Sequence, residues 1–160
     1  MKFNKRKCLQ LLKEKNQIEE KGQLLGQVDP VKNKILVKYL RLLEDEIFWQ
    51  DRKAYHQVVY SFIHDNITLE QFFAQFFKLR GKNLGAVNAW QKDLKDEARS
   101  ISNKSNKIEL NSQSAGFGML IAVLYDDLSF YNPDITAEEL LRQDIKDNIF
   151  PLIDQYCRNS

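Results

Sequence analysis

Few residues of this chain are placed for chemistry. His56 and His64 stand eight positions apart, so both can lie on one face of a helix. Two histidines without a third ligand at metal spacing do not make a metal centre. Cys8 and Cys157 lie near opposite ends of the sequence, have no histidine nearby in sequence and show no ligand spacing. Neither a disulfide nor a catalytic nucleophile is expected from them. There is no phosphate-binding glycine loop and no dinucleotide fingerprint. No catalytic residue, cofactor, metal or small-molecule substrate is therefore assigned. What remains is a set of carboxylates: Asp126, Asp127, Asp134, Glu138, Glu139 and Asp144. Acids grouped like this suit recognition of a basic protein partner better than acid–base catalysis, which needs burial in a cleft.

The elements that hold those acids are read from apolar spacing. Ser114 is expected to cap a helix running to Tyr125–Phe130, with Gly116 and Gly118 allowing close helix contact. Asp126 and Asp127 end it, where carboxylates oppose the helix dipole. Asn132-Pro133-Asp134 is a turn. Ile135-Thr136-Ala137-Glu138-Glu139-Leu140 then opens the closing helix, with Thr136 as cap, Glu139 closing a capping box and Ile135 stapled to Leu140. Pro151 should kink or split that helix near Asn148. A short corner thus gathers the acids on one surface. Ordinary solvated charge is the plain alternative, since Glu138 and Glu139 also favour a helix first turn.

The same helix start occurs earlier, as Ile67-Thr68-Leu69-Glu70-Gln71-Phe72. It follows a stripe of Ala54, Tyr55, Val58, Val59, Phe62 and Ile63, and precedes one of Phe72, Phe73, Phe76 and Phe77. Upstream, Asp29 and Pro30 begin a helix through Trp49, with a break or bend near Asp51. Gly81 and Gly85 mark a further break, before a stripe of Val87, Trp90, Leu94 and Ala98. Residues 100–113 are polar and read as an exposed loop.

The chain of 160 residues is long enough for a real core, and its composition is that of a globular protein. Apolar runs are too short for a membrane span. Six glycines and three prolines leave little room for a turn-rich β fold. The fold class is all-α: a single bundle of about five or six helices with short connections. Residues 1–26 are expected as a basic N-terminal helix, solvated, with a thin seam of Cys8, Leu11, Leu12 and Ile18; residues 27–160 form the bundle. Net charge is +2, but residues 101–160 carry nine acids against five bases. The N-terminus lacks an apolar leader core, so a cytoplasmic or organelle-stroma setting is expected. The excess of Lys over Arg, with frequent Asn and Ile, points to an AT-rich source such as a plastid or an AT-rich bacterium.

The stretches SFIHDNI, ITLEQFFAQFFKLR, GFGMLIAVLYDDLSFYNPD and ITAEELLRQDIKDNIFPLIDQY resemble the bacterial colicin-like self-protective immunity family, of the colicin D immunity type. Glu138, Glu139, Leu140 and Arg142 match its closing helix. The likeness covers residues 54–158; residues 1–53 have no counterpart in the short members. It implies a small helical bundle, not an enzyme, that neutralises a toxin nuclease through acidic side chains standing in for nucleic-acid phosphates. The alternative is a structural or adaptor subunit docking through its terminal helices. Nucleic-acid binding through the basic N-terminus is disfavoured, because no aromatic residue interleaves with its charges after Phe3.

Overall fold

The computed structural model describes residues 2–100 and 108–158, and among these no strand occurs. The helices are α1 (Lys5–Glu19), α2 (Leu25–Val28), α3 (Pro30–Gln50), α4 (Arg52–Ile63), α5 (Leu69–Arg99), α6 (Ser114–Ser129), α7 (Glu138–Asp144) and α8 (Phe150–Arg158). A π-helical turn, Ile145–Ile149, joins the last two. The chain is all-α, as its spacing implies.

Two compact units form. The first comprises Met1–Glu44 and Gly85–Leu110. Its core is Cys8, Leu11 and Leu12 of α1, Leu25 of α2, Leu36, Tyr39 and Leu43 of α3, and Leu94 and Ala98 of α5. The N-terminal helix is therefore not a solvated extension. Asn4 caps it, accepting from Lys7 N at 2.9 Å, and Lys5 reaches Glu97 at 2.8 Å. Its thin apolar seam suffices because α3 and α5 bury the same row. Asp29 caps α3 as its sequence implies, with Oδ1 accepting from Lys32 N at 3.0 Å.

The second unit comprises Asp45–Leu84 and Asn111–Ser160. Phe62 stacks on Phe72 at 4.3 Å, and Tyr55 meets Phe76 edge-on at 5.7 Å. Phe117, Ile121, Leu124, Leu128, Leu141, Ile145 and Ile153 complete this core. The capping box at the start of α5 is formed: Gln71 N donates to Thr68 Oγ1 at 3.2 Å, and Thr68 N donates to Gln71 Oε1 at 3.0 Å.

Three local expectations fail, each for a physical reason. Gly81 and Gly85 do not break α5, which runs without interruption to Arg99. Its inward face, Phe72, Phe76, Asn83, Val87, Leu94 and Ala98, continues at helical spacing across both glycines. Asn83 fastens that stretch: its Oδ1 accepts from the Tyr55 hydroxyl at 2.7 Å, and its Nδ2 donates to Asp51 at 2.7 Å. Burial of the phenol beside this network pushes the Tyr55 pKa well up. Thr136 does not cap α7. The cap position is Ala137, one residue on, and Ile135 and Leu140 stand exposed instead of stapled. Asn132 takes the turn over, its carbonyl accepting from Thr136 N at 2.9 Å and its Oδ1 from Asp134 N at 2.9 Å. Ser114 lies inside α6 and donates its hydroxyl to the Asn111 carbonyl at 2.8 Å, with Gln113 at the cap position.

Pro151 acts as expected. It lacks an N–H and crowds the carbonyl four residues back, and the helix answers with the widened turn Ile145–Ile149. Of the polar stretch 100–113, residues 101–107 lie outside the described residues. Ile108 and Leu110 pack on the first core.

Candidate functional site

Helix α6 is more apolar than its burial requires. Phe117, Leu120, Ile121, Leu124 and Leu128 face the core of the second unit. Close approach on this side is set by the two glycines. A Cβ on Gly118 would strike the Asp45 carboxylate, and one on Gly116 the Tyr156 hydroxyl. The opposite side carries Met119 and Val123, both exposed, and Phe130 follows the helix at 84% exposure. At 100° per residue, Met119, Val123, Asp126 and Phe130 fall on one outward stripe, with Asp127 at its margin. Met119, Val123 and Phe130 thus form a row of exposed apolar groups on one face, where scattered single ones are the usual pattern.

The acids of this face repel one another. Partial burial raises the Asp127 pKa, and the neighbouring charges of Asp144 and Asp126 raise it further. Among the described residues no cation forms an ion pair with Asp126, Asp127 or Asp144; Asp144 accepts only from Asn148 Nδ2, at 2.6 Å. Asp126 within the apolar row, Asp127 at its margin and Asp144 of α7 near Asp127 therefore form an uncompensated anionic patch.

The other three acids are placed differently. Glu138 is spent on Arg142, at 2.6 Å. Arg142 also pairs with Asp65 at 3.2 Å, donates Nε to the Phe62 carbonyl and lies over the Phe62 ring. This clamp ties the α4–α5 corner to α7, beside a shallow cleft of about 360 Å³ that includes Thr68 and Gln71. Asp134 and Glu139 are exposed around the α6–α7 corner, where Ile135 is 82% exposed. Sequence reading missed the apolar half of this surface. Its signal was present in α6, where Met119 and Val123 widen the stripe beyond what one core face needs.

No family model, curated protein or solved structure matches this chain.

The histidines do not converge on a metal position. His56 Nε2 lies 3.0 Å from Asp154 Oδ1, and the His64 ring stacks on Tyr60 at 4.0 Å. Among the described residues no three His, Cys, Asp or Glu side chains are grouped to hold a metal. Burial pushes the Cys8 thiol up to about 11 and also raises that of Cys157, so neither is an activated thiolate at neutral pH. Among the described residues no helix is long and apolar enough to cross a membrane.

Proposed function

We propose that this chain is a non-enzymatic binding module that takes a basic protein partner on the outer face of α6 and the α6–α7 corner. The observation that carries the reading is the coincidence on one face of exposed Met119, Val123 and Phe130 with the unpaired carboxylates Asp126, Asp127 and Asp144. Apolar anchors supply the desolvated centre of an interface, and the acids steer a cationic partner and fix its register. The resemblance to colicin-type immunity proteins makes that partner a toxin nuclease domain, which binds nucleic acid and so presents cations. Glu138 contributes through the Arg142 clamp, by holding the corner, and the direct contacts fall to Asp126, Asp127, Asp144 and the exposed Asp134 and Glu139.

The adaptor alternative draws less support. The apolar faces of its terminal helices are largely taken up: Cys8, Leu11 and Leu12 are buried in one core and Ile153 in the other, with Leu152 left exposed.

The test is affinity capture from the native source with mass spectrometry, followed by a titration of the purified partner. A basic partner should bind with steep salt dependence, and Asp126→Asn with Asp127→Asn and Asp144→Asn should slow association about tenfold or more. An unchanged association rate in that folded triple variant would remove this face as the site.

A further inference from the structure

A second exposed surface, on the first unit, has the opposite charge and a different use. From Pro30 to Leu43 the sequence holds no acid. Leu36, Tyr39 and Leu43 face the core. The outward arc of about 120°, at 100° per residue, carries Val31, Lys34, Val37, Lys38 and Arg41. Val31 is 69% exposed and Val37 56%; just before the helix, Leu24 is 56% and Val28 52% exposed. Four aliphatic side chains within fourteen residues thus face solvent. Lys34 and Lys38 form no ion pair among the described residues. The unit around them is strongly cationic, with sixteen basic and nine acidic residues in Met1–Glu44 and Gly85–Leu110, against eight and thirteen in the rest of the chain.

We infer that the outer face of α3, with Leu24 and Val28, seats this protein on an anionic lipid surface. Such a surface offers what this face lacks: negative charge for the lysines and an acyl boundary for the aliphatic side chains that flank them. A helix lying in a bilayer interface uses that combination, apolar groups entering the headgroup layer and lysine stems reaching back to phosphates. Nucleic acid fits less well. Its phosphates would meet Lys34 and Lys38, but Leu24, Val28, Val31 and Val37 would face charge, and the one aromatic of this stretch, Tyr39, is buried. The inference is independent of the α6 face, which belongs to the other unit and has the opposite sign.

The experiment is co-sedimentation of the full chain with vesicles of phosphatidylcholine containing roughly a third phosphatidylserine, against phosphatidylcholine alone. Two double variants, Lys34→Gln with Lys38→Gln and Val31→Ser with Val37→Ser, change only exposed side chains and should keep the melting temperature. Binding is expected on the anionic vesicles only, weaker in raised salt. It should fall about 30-fold in the lysine variant and about tenfold in the valine variant. Three results would overturn the inference: no binding to anionic vesicles, binding unaffected by the valine variant, or retention of an oligonucleotide without retention of vesicles.

Discussion

Alanine at Gly118 should move stability in the opposite direction from alanine at Gly81 or Gly85. All three glycines lie inside helices, so each substitution gains about 1 kcal/mol of helix propensity. At Gly81 and Gly85 nothing lies within 4 Å of an added Cβ, and the gain should appear undiminished. In a domain of this size about 1 kcal/mol raises the melting temperature by roughly 2–4 °C. At Gly118 the new methyl meets Asp45, whose Cγ would be 2.6 Å away and whose side chain is buried at 4% exposure. The carboxylate cannot swing into solvent, so α6 or α3 must shift. Overpacking of this kind costs about 1–3 kcal/mol, which cancels the propensity gain at its low end and leaves a net loss of up to about 2 kcal/mol at its high end. Thermal melts and urea titrations of the three single variants check both signs. A stabilised Gly118→Ala would refute the close approach of α6 to Asp45. A destabilised Gly81→Ala or Gly85→Ala would refute an uninterrupted α5.

Other substitutions separate what the two similar helix starts do. Thr68→Ala should cost about 1 kcal/mol, because it removes a formed cap, whereas Thr136→Ala should be nearly neutral in the same melts because Ala137 holds that position. Phe76→Ala, at a fully buried ring, should cost roughly 3–5 kcal/mol by urea titration, and a cost near zero would mean the ring is not core. Asp127 gives a pH signature. Its folded pKa is raised, so the folded state holds its proton longer than the unfolded chain, and this group's contribution falls as pH rises through the carboxylate range. Asp127→Asn should therefore raise the melting temperature slightly at neutral pH and leave it unchanged in acid, and a drop at neutral pH would contradict the repulsion from Asp126 and Asp144.

Features set by a few neighbouring residues were legible in the sequence. The Thr68–Gln71 box, the Asp29-Pro30 start and the distortion ahead of Pro151 each depend on groups within one turn, and each stands as read, while the break-or-bend near Asp51 resolves as a break. Features set by distant partners were not. Gly81 and Gly85 look like breakers until Tyr55, nearly thirty positions upstream, is seen to hold Asn83 between them. Thr136 repeats the context of Thr68 but lacks its outcome, because Asn132 shapes the preceding turn. The same division runs through the acidic surface. Asp126, Asp127 and Asp144 were all named among the acids, but that Asp144 acts on Asp127 follows only from the packing of α7. Glu138 was lost to Arg142, a residue one turn along the same helix. Spacing along one helix places Arg142 within reach of Glu138, but only tertiary structure brings Asp65 and the Phe62 carbonyl to the same guanidinium.

The chain passes between its two units at three points, after Glu44, Leu84 and Leu110, and the first two fall inside α3 and α5. Neither unit is therefore a contiguous piece of sequence. A nascent chain that has emerged as far as residue 84 holds the opening half of each and the whole of neither. Its Phe72 and Phe76, met so far only by Phe62 and Tyr55, wait for Phe117 and Ile121, and its Leu36 and Tyr39 for Leu94 and Ala98. Synthesis thus produces a long interval in which both apolar cores are half built and open to chaperones. It ends in reverse order of opening for neither: the first unit closes once residue 110 is available, and the second only when the last helix arrives.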